Sequence, residues 1–146
     1  MRILLQKVKN ASVSVDGKPV GEINRGYLLF LGILQDDTEA QAEWLAEKIL
    51  VLRLFEGADG KINDRSIADI KGEILIVSQF TLAGDVSKGS RPDYTGAADR
   101  EEAKRLYGYF IDCMKKTGLT VATGEFGAMM EVSLVNDGPV TLVLER

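Results

Sequence analysis

The segment Asn136-Asp137-Gly138-Pro139-Val140-Thr141 stands between two runs of strand-like sequence near the C-terminus. Residues 130–135 and 140–144 are rich in β-branched and other apolar side chains, which indicates a strand on each side. Proline fixes its own φ angle and glycine tolerates almost any backbone conformation, so the pair predicts a tight turn. A bond preceding proline can also be cis, which bends the chain sharply and holds the flanking carbonyl groups in one direction.

A second segment, Ser78-Gln79-Phe80-Thr81-Leu82, follows a run that begins at Glu73 and has the composition of a buried strand. The hydroxyl groups of Ser78 and Thr81 could each act as a nucleophile, but a nucleophilic hydroxyl needs a neighbouring base. The chain has no histidine, and no spacing identifies a lysine or aspartate for this role. The other interpretation is that both hydroxyls bond to nearby backbone groups at the end of the strand.

The backbone of these two segments offers another chemistry. The N–H groups of Phe80 and Thr81 could point at an ester oxygen and stabilise the negative charge that develops there. A rigid turn at Gly138-Pro139 could present carbonyl oxygens to an amine of the substrate. The residues alone leave the nucleophile, the backbone site and the purely structural interpretation open.

Composition indicates an ordinary globular chain, which we interpret as one domain spanning residues 1–146. Hydrophobic residues make up 45% and charged residues 27%. The single cysteine, Cys113, has no partner for an internal disulfide, and this favours a reducing compartment. The apolar N-terminal stretch is too short for a signal peptide, and no apolar run reaches membrane-spanning length. We therefore expect a cytoplasmic protein with no membrane partner.

The lack of histidine also narrows the chemistry. It excludes Ser-His-Asp and Cys-His catalysis, and it makes a zinc site improbable. A carboxylate site for Mg²⁺ stays open, although solvated surface is the simpler interpretation of Asp36, Asp37 and Asp59. We predict no metal and no cofactor. The formal net charge of −4 argues against general binding of nucleic acid, which depends on lysine and arginine. A local basic patch that includes Lys88 and Arg91 remains compatible with this charge.

The order of predicted elements indicates a mixed α/β protein. We predict strands at 3–9, 11–15, 18–23, 27–34 and 73–80. Thr38 begins a first helix, with Gln41 completing a capping box, and a second helix is predicted from about 97 to 117. Residues 57–71 are predicted to form a polar loop. The predicted fold is a single domain with a curved or barrel-like mixed β-sheet and two main helices packed on it.

Five segments in the same order resemble the D-aminoacyl-tRNA deacylase family over essentially the whole chain. They are Val20–Ile23, Ser78–Leu82, Lys88–Pro92, Thr123–Met130 and Val135–Thr141. Two departures lie outside the central motifs: Ser90 stands where asparagine is usual, and Tyr94 where phenylalanine is usual.

The resemblance implies an editing hydrolase that cleaves the ester joining a D-amino acid to the 3′ end of tRNA. It further implies activity on mischarged glycyl-tRNA and rejection of L-aminoacyl-tRNA. The family is homodimeric, with the active site at the subunit interface. Gly138 and Pro139, joined by a cis bond, would reach into the partner's pocket, face the α-amino group and leave no room for an L side chain.

The resemblance also implies that the 2′-hydroxyl of the terminal adenosine assists catalysis. Ser78, Gln79 and Thr81 would shape the pocket, while main-chain N–H groups near Phe80 and Thr81 would hold the ester. Phe126 and Met130 would surround the terminal adenosine.

Two further consequences concern nucleic acid. Lys88 and Arg91 are candidate phosphate contacts. The alternative to an enzyme is a non-catalytic nucleic-acid-binding module built on the same fold, because a fold by itself does not determine activity.

Overall fold

Strand β1 (Arg2–Val15) is the element with which three other strands pair. The computed structural model describes residues 1–146. The remaining strands are β2 (Lys18–Ile23), β3 (Gly26–Gly32), β4 (Arg53–Phe55), β5 (Arg65–Ser66), β6 (Glu73–Ser78), β7 (Val121–Thr123) and β8 (Met130–Glu145). The helices are α1 (Glu39–Val51) and α2 (Arg100–Lys115), and a 3₁₀ turn spans Phe80–Ala83.

The main sheet curves until it is nearly closed. Its order is β2-β1-β3-β6-β7, with β8 paired to β1 outside this path. The β1 pairs are antiparallel, whereas β6 runs parallel to both β3 and β7. A Cβ atom added to Gly21 of β2 would stand 2.6 Å from the carbonyl oxygen of Thr123 in β7, so the two ends of the sheet almost meet. This confirms the predicted barrel-like mixed sheet.

The two helices pack together and bury apolar faces against the sheet. Helix α1 buries Ala42, Leu45, Ala46 and Ile49, and helix α2 buries Leu106, Tyr107, Phe110 and Met114. These residues belong to one core cluster with alternate side chains of β1 and β3. Removing such large apolar groups from water is the main stabilising contribution to the fold. Neither helix is long and apolar enough to cross a membrane.

The predicted helix boundaries need correction at α2, whereas the capping box of α1 is confirmed. The Gln41 side chain accepts a hydrogen bond from the Thr38 N–H at 2.9 Å. Helix α2 begins at Arg100 rather than near residue 97, because the Asp99 carboxylate caps the N–H groups of the first turn. The predicted loop 57–71 also contains strand β5, which pairs with β4.

The predicted turn at Gly138-Pro139 is wrong in one respect: the chain does not reverse there. Strand β8 runs through the whole segment beside β1, and the two predicted strands 3–9 and 11–15 are likewise one strand. Gln6 pairs with Thr141 and Val8 with Asn136, so the ladder is irregular at this point. The extra residues of β8, 137–140, form a bulge, and this is how a strand takes up a local excess of residues.

Candidate active site

A cavity of about 540 Å³ opens where β3 and β6 end side by side. Its walls come from the ends of these two strands, the start of α2 and the segment 126–132. Thirteen of the seventeen lining residues are hydrophobic. An apolar cavity with a few polar groups is the form that small-molecule sites usually take, so this is the candidate site.

The cavity brings together five of the residues singled out from sequence. Ser78, Gln79, Phe80, Phe126 and Met130 all line it. The first three lie at the end of β6, and Phe126 follows β7, which is paired to β6 along the same edge. Met130 is the first residue of β8. Parallel neighbouring strands end on one side of the sheet, and the residues that follow them therefore meet there.

Hydrogen bonds hold the backbone at this edge. The Gln79 N–H donates to the Leu31 carbonyl at 2.8 Å, and the Gly124 N–H donates to the Ile76 carbonyl at 2.9 Å. Both bonds extend the parallel ladders beyond the last strand residues. The two lining segments consequently sit on rigid supports rather than on free loops.

Large apolar side chains are exposed at the mouth of the cavity. Phe80 is 58% exposed and Met129 is 89% exposed. The Phe80 ring packs edge-on against Tyr94, with 5.1 Å between ring centroids. Exposed apolar groups beside a cavity indicate a binding surface, because solvent contact at such groups is unfavourable.

Few polar groups reach the cavity, and none of them is a base at neutral pH. The Tyr107 hydroxyl donates to the Ile76 carbonyl at 2.9 Å, and burial raises the pKa of Tyr107 to about 12. The phenol therefore stays neutral. The Gln79 amide donates to the Thr81 hydroxyl, whose side chain does not line the cavity. The remaining polar residues are Ser78 and Arg100.

Gly138 and Pro139 do not line the cavity. Their peptide bond is cis. The Asn136 amide closes the base of the bulge by donating to the Lys7 carbonyl at 3.0 Å and to the Val140 carbonyl at 3.1 Å. The bulge is thus fixed to β1, but it lies apart from the residues at the end of β6.

Ion pairs made by a buried lysine secure the same bulge. The Lys7 side chain is 3% exposed, and its ammonium lies 2.8 Å from a Glu56 oxygen and 3.4 Å from an Asp137 oxygen. The hydrogen bond from Lys7 lowers the pKa of Glu56. Asp137 directly precedes Gly138, so this contact ties the Gly-Pro segment to the sheet. Sequence reasoning missed these pairs, because a single lysine in an alternating strand indicates only a surface position.

Lys88 and Arg91 are exposed and do not line the cavity. They lie in a loop whose base is closed by two backbone hydrogen bonds between Asp85 and Asp93, of 2.8 and 2.9 Å. Their predicted contact with phosphate stays a prediction. Arg100 is the charged residue that does reach the cavity, and sequence reasoning did not single it out.

The fold and the cavity together define a class: single-domain α/β proteins with an apolar site at the end of a parallel strand. The family model described as D-Tyr-tRNA(Tyr) deacylase matches residues 4–145. The chain belongs to this family, and it is on that ground a deacylase, an enzyme that hydrolyses an ester bond.

Relatives along the full length agree with this assignment. A D-aminoacyl-tRNA deacylase of Bacillus cytotoxicus is 55% identical over 145 residues, which is 99% of each chain. One of Exiguobacterium sibiricum is 53% identical over 146 residues and covers 100% of both chains.

Two solved structures show the same architecture. A c-Myc DNA Unwinding Element Binding Protein superposes with a TM-score of 0.94 at 43% identity, covering 100% of this chain and 99% of that one. A probable eukaryotic D-amino acid tRNA deacylase superposes with a TM-score of 0.86 at 20% identity, covering 98% and 97%. The second likeness concerns the fold alone.

Proposed function

We propose that the chain hydrolyses the ester of D-aminoacyl-tRNA to free amino acid and tRNA, and spares L-aminoacyl-tRNA. Mischarged glycyl-tRNA is a further substrate in this proposal, and the cytoplasm is the place of action. The observation that carries the proposal is the apolar cavity at the end of β6, formed by Ser78, Gln79 and Phe80 on one side and by Phe126 and Met130 on the other. Its apolar walls suit the terminal adenosine, with Phe126 and Met130 around the base.

Selection against L-amino acids is assigned to the main chain of Gly138 and Pro139. Their carbonyl oxygens would accept hydrogen bonds from the α-amino group and occupy the space that an L side chain needs. A filter of this kind discriminates by shape, whichever side chain the amino acid carries. The anchoring of the bulge through Asn136 and the Lys7–Asp137 pair supports a filter of fixed geometry. Glycine, which has no side chain, would pass.

Catalysis is assigned to the substrate and the backbone. No side chain that lines the cavity is a base at neutral pH, since the polar ones are serine, glutamine, arginine and a phenol with a pKa of about 12. The 2′-hydroxyl of the terminal adenosine would instead help to activate the attacking water. The N–H groups of Phe80 and Thr81 would stabilise the oxyanion, since the leading N–H groups of a helical turn have no acceptor in an earlier turn.

A homodimer completes the proposed site. Gly138 and Pro139 do not line their own protomer's cavity, so the filter needs a cavity from a partner. Strand β8, which carries them, has no buried residue along its whole length, and it pairs with β1 alone. Val135 and Val143 on this strand are 47% and 64% exposed. Exposed strand edges with apolar side chains favour association with another chain, here a second copy.

The test is hydrolysis of D-tyrosyl-tRNA beside L-tyrosyl-tRNA, with glycyl-tRNA in a third reaction. We expect rapid loss of the D ester and of glycyl-tRNA, with the L ester consumed at least about 100-fold more slowly, as a steric filter predicts. The measurement is the amount of aminoacylated tRNA that remains over time. Equal cleavage of the D and L esters would refute the filter and keep the esterase.

A non-catalytic nucleic-acid-binding module is the second candidate. It is favoured by the likeness to the solved structure that is named as a DNA unwinding element binding protein. If the folded protein binds tRNA but cleaves none of the three esters, this candidate replaces the enzyme.

We expect Thr81→Ala to keep kcat for D-tyrosyl-tRNA within about fivefold of wild type, the cost of one neutral hydrogen bond. The Thr81 hydroxyl bonds to Gln79 and has no base beside it among the residues of the cavity, so it is poorly placed as a nucleophile. Single-turnover rates measure the effect, with circular dichroism as the control for folding. A loss of about 1,000-fold in a folded variant would restore Thr81 as the nucleophile.

A further inference from the structure

Arg100 is the one charged residue among the seventeen that line the cavity. It is the first residue of α2, and its side chain is exposed at the rim. No aspartate, glutamate or lysine shares the cavity with it. The site therefore carries a single positive charge at the edge of an otherwise neutral and mainly apolar surface.

The Arg100 guanidinium forms no ion pair and no hydrogen bond within the chain, in contrast to Arg2, Arg25 and Arg105, which all pair with carboxylates. Two of the acidic side chains near it in sequence, Asp99 and Glu102, are engaged elsewhere. Asp99 caps α2 through the N–H groups of Glu101 and Glu102, and the Glu102 carboxylate binds Arg105 at 2.7 Å. The N–H donors of the Arg100 guanidinium are therefore free to bind a ligand.

Gly127 makes room for this guanidinium. Gly127 has a φ of +77°, and a Cβ atom added there would stand 3.0 Å from Nη2 of Arg100. A larger residue would push the arginine away from the segment 126–130. The charged group therefore lies beside the segment that also carries Phe126, the residue assigned to the terminal adenosine.

The chemistry of the proposed substrate restricts what Arg100 can bind. The α-amino group of the amino acid is a donor and is cationic when protonated, and the ester, ribose and base are neutral. The nearest anion to a bound terminal adenosine is its own 5′-phosphate, which joins it to the preceding nucleotide. Arginine is suited to phosphate because its planar fork donates two parallel hydrogen bonds.

We propose that Arg100 binds the 5′-phosphate of the terminal adenosine and so sets the depth at which the aminoacylated end enters the cavity. This rests on the proposed function. Lys88 and Arg91 do not line the cavity, so a contact made there would concern other phosphates of the tRNA. A rival role for Arg100 is stacking of its guanidinium on the adenine ring, which needs no phosphate.

The experiment compares two minimal substrates, which carry D-tyrosine as an ester on the 3′-hydroxyl of adenosine or of adenosine 5′-monophosphate. Both are tested with wild type, Arg100→Gln and Arg100→Lys. We expect wild type to prefer the phosphorylated ester by about 10- to 100-fold in kcat/KM, the range for a hydrogen bond to a charged group. In Arg100→Gln the ratio of kcat/KM for the phosphorylated ester to kcat/KM for the adenosine ester should fall to near one. Arg100→Lys should retain part of the preference. The change is expected in KM, with kcat conserved, because the phosphate is remote from the ester.

Lys104→Gln is the matched control, since it removes one positive charge from the exposed face of the same helix without touching the cavity. It should leave the ratio of the two esters as in wild type. On D-tyrosyl-tRNA, Arg100→Gln should also lower the slope of log affinity against log salt by about 0.7, the value for one phosphate of a single strand.

The outcomes separate this inference from the proposed function. Equal losses on both esters in Arg100→Gln would mean stacking on the base and would overturn the phosphate contact. An unchanged ratio in a folded Arg100→Gln protein would also overturn it. If wild type cleaves neither the minimal esters nor D-tyrosyl-tRNA, the proposed function is refuted. In that case, and also if only the tRNA ester is cleaved, calorimetric binding of adenosine 5′-monophosphate compared with adenosine decides the phosphate contact alone. A preference for the monophosphate that Arg100→Gln abolishes would support it.

Discussion

Replacing the 2′-hydroxyl of the terminal adenosine by hydrogen is expected to lower kcat for D-tyrosyl-tRNA by about 100- to 10,000-fold, the usual range for general acid–base assistance. The protein contains no histidine, and its cavity offers no other group that can accept a proton at neutral pH. The hydroxyl adjacent to the ester is the polar group of the substrate best placed to act on the attacking water. Removing it takes away the proposed proton relay and leaves the protein contacts in place.

The measurement is single-turnover hydrolysis of tRNA that ends in 2′-deoxyadenosine and carries D-tyrosine on its 3′-hydroxyl. Affinity for this substrate, measured with enzyme in excess, should stay within a few-fold of that for normal tRNA. The rates of spontaneous hydrolysis of the two esters give the effect of the hydroxyl without enzyme, and the enzymatic rates are corrected for this effect. Unchanged enzymatic turnover would refute assistance by the substrate and would require a base from the protein.

The second large effect is expected from mixed dimers. Gly138→Leu places a bulky side chain on the proposed filter, and only Asn136 lies within 4 Å of the new Cβ, so folding should be conserved. Ala128→Trp fills the cavity from a half-buried loop position. Each variant alone should lose at least about 100-fold in activity, because the substrate can no longer take its reactive position.

A heterodimer of the two variants contains one site built from an unaltered cavity and an unaltered filter. Co-expression with two different affinity tags isolates this species, and we expect it to recover about half of the wild-type activity per dimer, as two-fold symmetry requires. A dimer that carries both substitutions in each subunit is the control and should stay inactive. If the tagged chains do not co-purify, the dimer is refuted; an inactive heterodimer would place the whole site within one protomer.

The fold could largely be read from local patterns. Helical spacing of apolar residues predicts α1 and α2, and the predicted barrel-like mixed sheet is confirmed. The errors lie where pairing between strands far apart in the sequence determines the backbone. Gly138-Pro139 predicts a turn by its own conformational preferences, but β8 continues past it, because its long ladder with β1 accommodates the extra residues as a bulge. Local propensity carries no information about the partner strand.

The candidate site likewise contains residues that the sequence indicates and residues that it does not. Motifs of the sequence point to Ser78, Gln79 and Phe80 and, by resemblance, to Phe126 and Met130, and these five residues line one cavity. The residues after β6 and Phe126 after β7 meet because these strands are parallel neighbours, and Met130 is added by the start of β8. Neither Arg100 nor Lys7 carries any distinguishing pattern. Their environments arise from residues far away in the chain: Gly127 beside the first, Glu56 and Asp137 around the second.

The sequence by itself determined the class of fold, the family and a chemistry without histidine, since these depend on residue types and their order along the chain. Only the tertiary structure decided which residues share a cavity, that the Gly-Pro segment lies outside this cavity, and which charges are paired. The physical reason is that burial and pairing of a charge depend on distances in space. An arginine without a partner and a buried lysine differ in their surroundings and not in their sequence patterns.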